Sequence, residues 1–253
     1  MSKISKVLIT RSRKQSQSFA KALAEVGFTP IFFPTIQIRP LEDLSALEKA
    51  IAEIEKYDWL IFSSTNAVEV FFNRFPSPFG RWGRGEGNAA KIAAIGSKTE
   101  ASLRSRGVDV DFVPEKYVGE SLLAGLGDLL GKWILLPRAK VAREIVPREI
   151  ARAGGIVHEI AIYETVQAEI DEEGLSALRA GVDAVTFTSP STVNNFVDLT
   201  KKSGLAPLNL PNNPLFACIG PVTEKAARKA GFSPIVVAEE YTTDGLIDVI
   251  SEA

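Results

Sequence analysis

The chain has 253 residues, 45% of them hydrophobic and 24% charged, with a formal net charge of −2. That balance supplies a core, excludes a dominantly disordered chain, and argues against a general nucleic-acid binder, which carries a basic excess. One cysteine (Cys218) and one histidine (His158) exclude a disulfide framework and the usual zinc ligand sets.

Taken in order, the first residues hold Lys3 and Lys6 and then only a short apolar run. No signal peptide is read there and no stretch approaches 18 uninterrupted apolar residues, so the expectation is a cytoplasmic protein with no membrane span. Val7-Leu8-Ile9 reads as a strand; Phe19, Leu23 and Val26 come next as one helical face, and Gly27 sits where a C-cap belongs. Phe32 to Pro40 alternates at its C-terminal end. Trp59-Leu60-Ile61-Phe62 runs into Ser63-Ser64-Thr65-Asn66, and Val68, Phe71 and Phe72 resume at helical spacing. Pro76 to Asn88, with Gly80, Gly83, Gly85 and Gly87, reads as a surface loop. Ile92 to Ile95 ends at Gly96 and opens a helix near Lys98; Trp133 to Leu136 ends at Pro137. Val157 to Val166 alternates again, Ala184 to Phe187 ends at Thr188-Ser189-Pro190, and Phe216 to Ile219 ends at Gly220-Pro221. Strand–helix alternation of this kind predicts an α/β fold with parallel sheets.

The chain also repeats itself. Leu8–Arg11 matches Leu135–Arg138, Phe62–Ser64 matches Phe187–Ser189, Ile95–Thr99 matches Ile219–Thr223, and Tyr117 matches Tyr241, each pair roughly 125 residues apart. One α/β unit is therefore present twice. The two alternating stretches predict an antiparallel two-stranded linker. The expected organisation is a discontinuous lobe of residues 1–34 and 168–253, linker strands 35–41 and 156–167, and a middle lobe 42–155. The stretch 208–214 takes the loop's place in the other lobe.

In parallel sheets ligands gather at the carboxyl ends of strands, beside the amino ends of the next helices. Here those ends carry Thr10, Ser63, Ser64, Thr65, Gly96, Ser97, Thr188, Ser189, Ser191 and Gly220. Singly, such residues are ordinary N-caps; together, facing one cleft, they form an anion receptor, and the two roles are compatible. Arg11, Arg13, Lys14, Lys98, Arg138, Lys140 and Arg143 lie next to these turns. Each is readable as a solvated surface charge, but the repeat places Arg11 and Arg138 immediately after the first strand of each copy, and guanidinium binds carboxylate through two hydrogen bonds. An acidic ligand is expected.

Other constellations fail. Gly85-x-Gly87 precedes a strand instead of coming after one, Gly131-Lys132-Trp133 lacks the phosphate-loop spacing and hydroxyl, and no G-x-S-x-G elbow occurs. His158, in an alternating ribbon, is a poor triad member, and Cys218, inside an apolar strand, reads as a core residue. Tyr163 stands in the second alternating stretch. It reads either as a strand tyrosine with its hydroxyl in water or as a group facing a cleft. Tyr117 and Tyr241 read as structural.

With these residues the sequence resembles the uroporphyrinogen-III synthase family over nearly its whole length. The resemblance is carried by Val7–Arg11, Trp59–Val68, Ala94–Thr99, Ile160–Thr165, Val185–Ser191 and Ile219–Thr223 in that order and spacing. It departs at Thr65, where many relatives have the proline that the second lobe has at Pro190. The resemblance implies a two-lobed, cofactor-independent lyase of tetrapyrrole (heme) biosynthesis, without a metal, acting on hydroxymethylbilane, a linear tetrapyrrole with eight carboxylates. Loss of the terminal hydroxyl, attack at the substituted carbon of the last pyrrole and rearrangement of a spiro intermediate then give uroporphyrinogen III with that ring inverted. Tyr163 matches the family tyrosine that helps the hydroxyl leave, and Ser64, Asn66, Gly96, Thr99, Ser189, Gly220 and Thr223 match cleft positions. Arg11 and Arg138 are added from the repeat. A monomer binding only this small molecule, with no nucleic-acid or membrane partner, is expected. The competing classes are a non-catalytic two-lobed receptor for a polyanion and a nucleotide-dependent transferase; the first calls for an export signal, the second for a glycine-rich phosphate loop.

Overall fold

The computed structural model describes residues 4–75, 90–114, 123, 125–142 and 144–253. The expected loop over 76–88, Tyr117 and Arg143 lie outside the described residues. The chain divides into two compact units, residues 1–37 with 166–253, and residues 38–165.

The first unit holds β1 (Lys6–Ile9), β2 (Thr29–Phe32), β8 (Ala184–Phe187), β9 (Leu215–Cys218) and β10 (Ile235–Val237) in the order β10-β9-β8-β1-β2, with every described pairing parallel. Its central strands are buried on both faces, which is why they read as unbroken apolar runs. Leu8, Val185, Phe187, Phe216 and Cys218 pack on one face with α6 (Glu172–Ala180), α7 (Pro190–Lys202) and α8 (Pro221–Lys229). Val7, Ile9, Ala184 and Ala217 pack on the other with α1 (Gln17–Glu25) and α9 (Thr243–Ser251). The result is a helix–sheet–helix sandwich.

The second unit is built the same way. β4 (Trp59–Phe62), β5 (Lys91–Ala94), β6 (Trp133–Ala139) and β7 (Ile156–Gln167) take the order β7-β6-β4-β5, all parallel, and β3 (Ile36–Pro40) lies beside β7. Leu60, Phe62, Ile92, Ala94 and Leu135 pack against α2 (Ser45–Ala52), α3 (Thr65–Arg74) and α4 (Ser97–Arg104). Trp59, Ile61, Ala93, Ile134 and Leu136 pack against α5 (Ile145–Arg152) together with Leu126 and Leu129.

The two sheet orders superpose the sequence repeat: β2-β1-β8-β9 corresponds to β7-β6-β4-β5, and the parallel bridge of Ala93 with Phe112 stands where β10 stands in the first unit. Neither unit is one copy of the repeat. The first takes β1-α1-β2 from copy one and its remaining strands from copy two; the middle unit does the reverse.

β3 runs antiparallel to β7. Leu41 N–H donates to the Ile162 carbonyl, Arg39 pairs with Glu164, and Ala168 N–H donates to the Thr35 carbonyl, so the partners step in opposite directions. Residues 156–163 of β7 also form a parallel ladder with β6, and the chain passes between units within β3 and again within β7.

Cys218 is fully buried, and burial pushes its thiol up to about 12, as suits a core residue. His158 sits in β7 opposite Leu135, stacked on Tyr57 at 6.0 Å and hydrogen-bonded to its hydroxyl through Nδ1. Among the described residues no group of His, Cys, Asp and Glu is placed to hold a metal ion, and no helix is long and apolar enough to cross a membrane.

Candidate active site at the carboxyl edge of the middle sheet

The strands of the middle unit end around a cavity of about 370 Å³. Ser63, Ser64, Arg138, Tyr163 and Thr165 supply its polar wall; Ile95, Leu136, Val141, Ile145 and Val146 supply an apolar one. β4 delivers the two serines, because its apolar run stops at Phe62 and Ser64 takes the extended conformation of an N-cap for α3. The Ser64 hydroxyl oxygen accepts the Ala67 N–H at 3.1 Å.

Tyr163 reaches the same place through a bulge. Arg138 lies opposite Ala161 but Ala139 lies opposite Tyr163, so Ile162 is an extra residue in β7. An inserted residue breaks the two-residue alternation and re-aims the side chains after it. Ile160, Ile162 and Tyr163 thus all join the core beneath α3, instead of 163 turning away from 162. The Tyr163 hydroxyl stands 2.8 Å from the Ser64 hydroxyl. Only 5% of Tyr163 is exposed, which overturns the reading of a strand tyrosine with its hydroxyl in open water.

Arg138 lines the cavity at 8% exposure, but its guanidinium is already held by Glu144 at 3.0 Å and by Glu159. Two of the chain's own carboxylates thus neutralise it, as a buried guanidinium must be paired. Its repeat partner Arg11 is half-buried, donates from Nε to Gln15 at 3.0 Å, and is lowered from its ordinary value by burial while remaining a cation.

The other expected positions fall into two kinds. Gly96 begins α4 at φ 111°, in the region that favours glycine, and no side chain caps the helix. Gly220 begins α8, likewise uncapped by a side chain, but in extended backbone. Both helices therefore present first-turn N–H groups of the sort that suit anions. Ser189 caps α7 in a capping box with Thr192, and its hydroxyl also meets Ser191 at 2.9 Å. Asn66 is half-buried in the first turn of α3. Thr99 and Thr223 are 4% and 3% exposed, and the Thr99 hydroxyl donates to the Ile95 carbonyl of its own chain segment. Arg13 is paired with Asp171 at 2.7 Å and Lys140 with Glu164 at 3.7 Å.

In the middle unit the structure thus brings Ser64, Arg138 and Tyr163 to one cavity, while Arg11, Ser189, Gly220 and Thr223 belong to the first unit. Sequence reasoning missed Glu144 and Glu159, the apolar wall and Thr165. The amphipathic 145–152 stretch carried the signal for part of that wall.

A family model described as uroporphyrinogen-III synthase HemD matches residues 17–248. The chain belongs to the uroporphyrinogen-III synthase family. A uroporphyrinogen-III synthase of Synechococcus elongatus is 33% identical over 97% of this chain and 94% of its own length. Among solved structures, the uroporphyrinogen-III synthetase of Helicobacter pylori has a TM-score of 0.59 at 16% identity, covering 97% of each chain. A mutant uroporphyrinogen III synthase of Thermus thermophilus has a TM-score of 0.51 at 20% identity, covering 96% of each. The two structures share the fold of paired α/β units. Membership of the uroporphyrinogen-III synthase family favours an enzyme over a non-catalytic receptor.

Proposed function

We propose that this chain is a uroporphyrinogen-III synthase, closing hydroxymethylbilane to uroporphyrinogen III with inversion of the last ring and loss of water. The observation that carries the reading is the Tyr163 hydroxyl, turned by a bulge into a cavity walled on one side by hydroxyls and on the other by aliphatic side chains, in a chain of this family.

The chemistry asks for little acid–base power. An electron-rich pyrrole expels its hydroxyl readily, and unassisted closure gives the unrearranged isomer, so the protein supplies chiefly orientation. In this reading Tyr163 gives its proton to the departing hydroxyl. Asn66 and the N–H groups after Gly96 are the candidates to hold substrate in the middle unit; in the first unit Arg11, Ser189 and the N–H groups after Gly220 are the candidates to bind carboxylate. Thr99 and Thr223 support those helix ends from within. Arg138 meets a substrate carboxylate by exchange with the well-exposed Glu144, keeping Glu159 as its standing partner. Residues 35–41 and 156–167 act as the two connectors. The chain is read as a cytoplasmic monomer that needs no cofactor.

The test is incubation with freshly generated hydroxymethylbilane, then isomer analysis of the product. Type III in excess is expected; type I alone overturns the reading.

A further inference from the structure

We propose that Ser64 is a positioning residue that acts through Tyr163, rather than a contact to substrate in its own right. The inference rests on the reading of Tyr163 as the proton donor. The two hydroxyl oxygens are 2.8 Å apart, so a single hydrogen lies between them and one O–H of the pair is left over. The Ser64 oxygen already accepts the Ala67 N–H at 3.1 Å at the start of α3. An O–H whose oxygen accepts a bond from a helix N-terminus is polarised into a better donor. Ser64 therefore donates to the phenol oxygen, and the phenol hydrogen is the one left for the cavity.

This arrangement fits the departure of a hydroxyl. The C–O bond of the hydroxymethyl group breaks as the pyrrole nitrogen pushes its electron pair toward the carbon. The phenol hydrogen passes to the leaving oxygen, which departs as water. Charge then grows on the phenol oxygen, where the Ser64 O–H and the positive end of α3 meet it. The proton lost from the ring carbon at closure returns to that oxygen, leaving the pair as it began. Glycine cannot play this part, yet it starts a helix nearly as well as serine.

A double-mutant cycle tests it. Steady-state formation of type III product is measured for the unaltered chain, Ser64→Gly, Tyr163→Phe and the double variant, with thermal midpoints to confirm folding. Ser64→Gly is expected to lower kcat by about tenfold, the worth of one hydrogen bond, with KM within about twofold. In the Tyr163→Phe background the same change is expected to move kcat by less than about twofold. If Ser64→Gly does not fold, Ser64→Asp takes its place, since it keeps the cap and only accepts; it too is expected to slow the tyrosine enzyme and not the phenylalanine one. A fall of equal size in both backgrounds, or one carried by KM, overturns the proposal and makes Ser64 a substrate contact. Type I product alone from the unaltered chain overturns the reading of the enzyme itself. Type III product with an additive cycle removes only the role of Ser64.

Discussion

The two units share a strand order, a serine-capped helix after one strand and a glycine-started helix after the next, yet they use these parts differently. Ser189 spends its hydroxyl within its own turn, on Ser191 and Thr192, whereas Ser64 turns to a tyrosine from another strand. Gly96 needs its positive φ; Gly220 does not. Arg138 is buried between two carboxylates, and Arg11 is half-buried against a glutamine. Duplication supplied two equivalent frames, and a single inserted residue in β7 gave one of them a phenol at the strand tips. On the proposed role of Tyr163, one proton donor is enough beside many modest contacts, and the asymmetry then belongs in one unit.

The sharpest way to break this comparison is Tyr163→Phe, which is expected to lower kcat by about 10²–10⁴-fold without abolishing type III formation. Activity unchanged within about twofold would return the middle unit to equality with the first. Next, Arg138→Ala leaves Glu159 without its buried partner. It is expected to cost about 1–3 kcal/mol in denaturant unfolding, less than a wholly buried pair because both glutamates reach solvent. Arg11→Ala is expected to cost about 1 kcal/mol or less in the same measurement.

Gly96→Ala forces a side chain into positive φ and is expected to cost about 1–2 kcal/mol. Gly220→Ala meets only the exposed Tyr241 ring at 3.2 Å and is expected to stay within about 0.5 kcal/mol, again by denaturant unfolding. Equal costs would show that the two glycines do one job.

Another small effect at neutral pH, with a pH signature of its own, concerns Cys218, whose repeat counterpart is Ala94. Cys218→Ala is expected to cost about 1 kcal/mol or less below pH 9 and to leave type III formation intact. The folded thiol is raised from 9.0 to about 12 by burial first and Glu224 second. The stability it contributes is therefore complete below pH 9 and is lost as pH climbs from 9 toward 12. Unfolding of the unaltered chain and of Cys218→Ala should converge and then cross within that window. Parallel curves would place the thiol in a wetter site than its burial indicates.

The frame was legible because buried parallel strands must be apolar throughout and must stop at small polar residues. The runs ending at Ser63, Gly96, Thr188 and Gly220 each became a strand tip. The Ser64 cap and the repeat came from the same logic. Anything set by register escaped. The stretch 157–166 alternates convincingly, and nothing in it marks Ile162 as the extra residue, because a bulge is defined by the partner strand and not by its own sequence. The partners of Arg138 escaped for a related reason: Glu144 and Glu159 come from a helix start and a neighbouring strand, and solvation of an arginine cannot be read without its neighbours. The burial of Thr99 and Thr223 escaped as well, since how deep a helix's third residue sits depends on a rotation the sequence leaves open.

The interleaving of the two copies also has a consequence for how the protein is made. β1 pairs with β8, so it leaves the ribosome well before a partner that lies more than half a chain behind it, while the middle unit has all its sheet by residue 167. Synthesis therefore completes the sheet of the middle unit first and leaves the apolar β1-α1-β2 segment waiting for β8, so the last strands made are the ones that close the first unit.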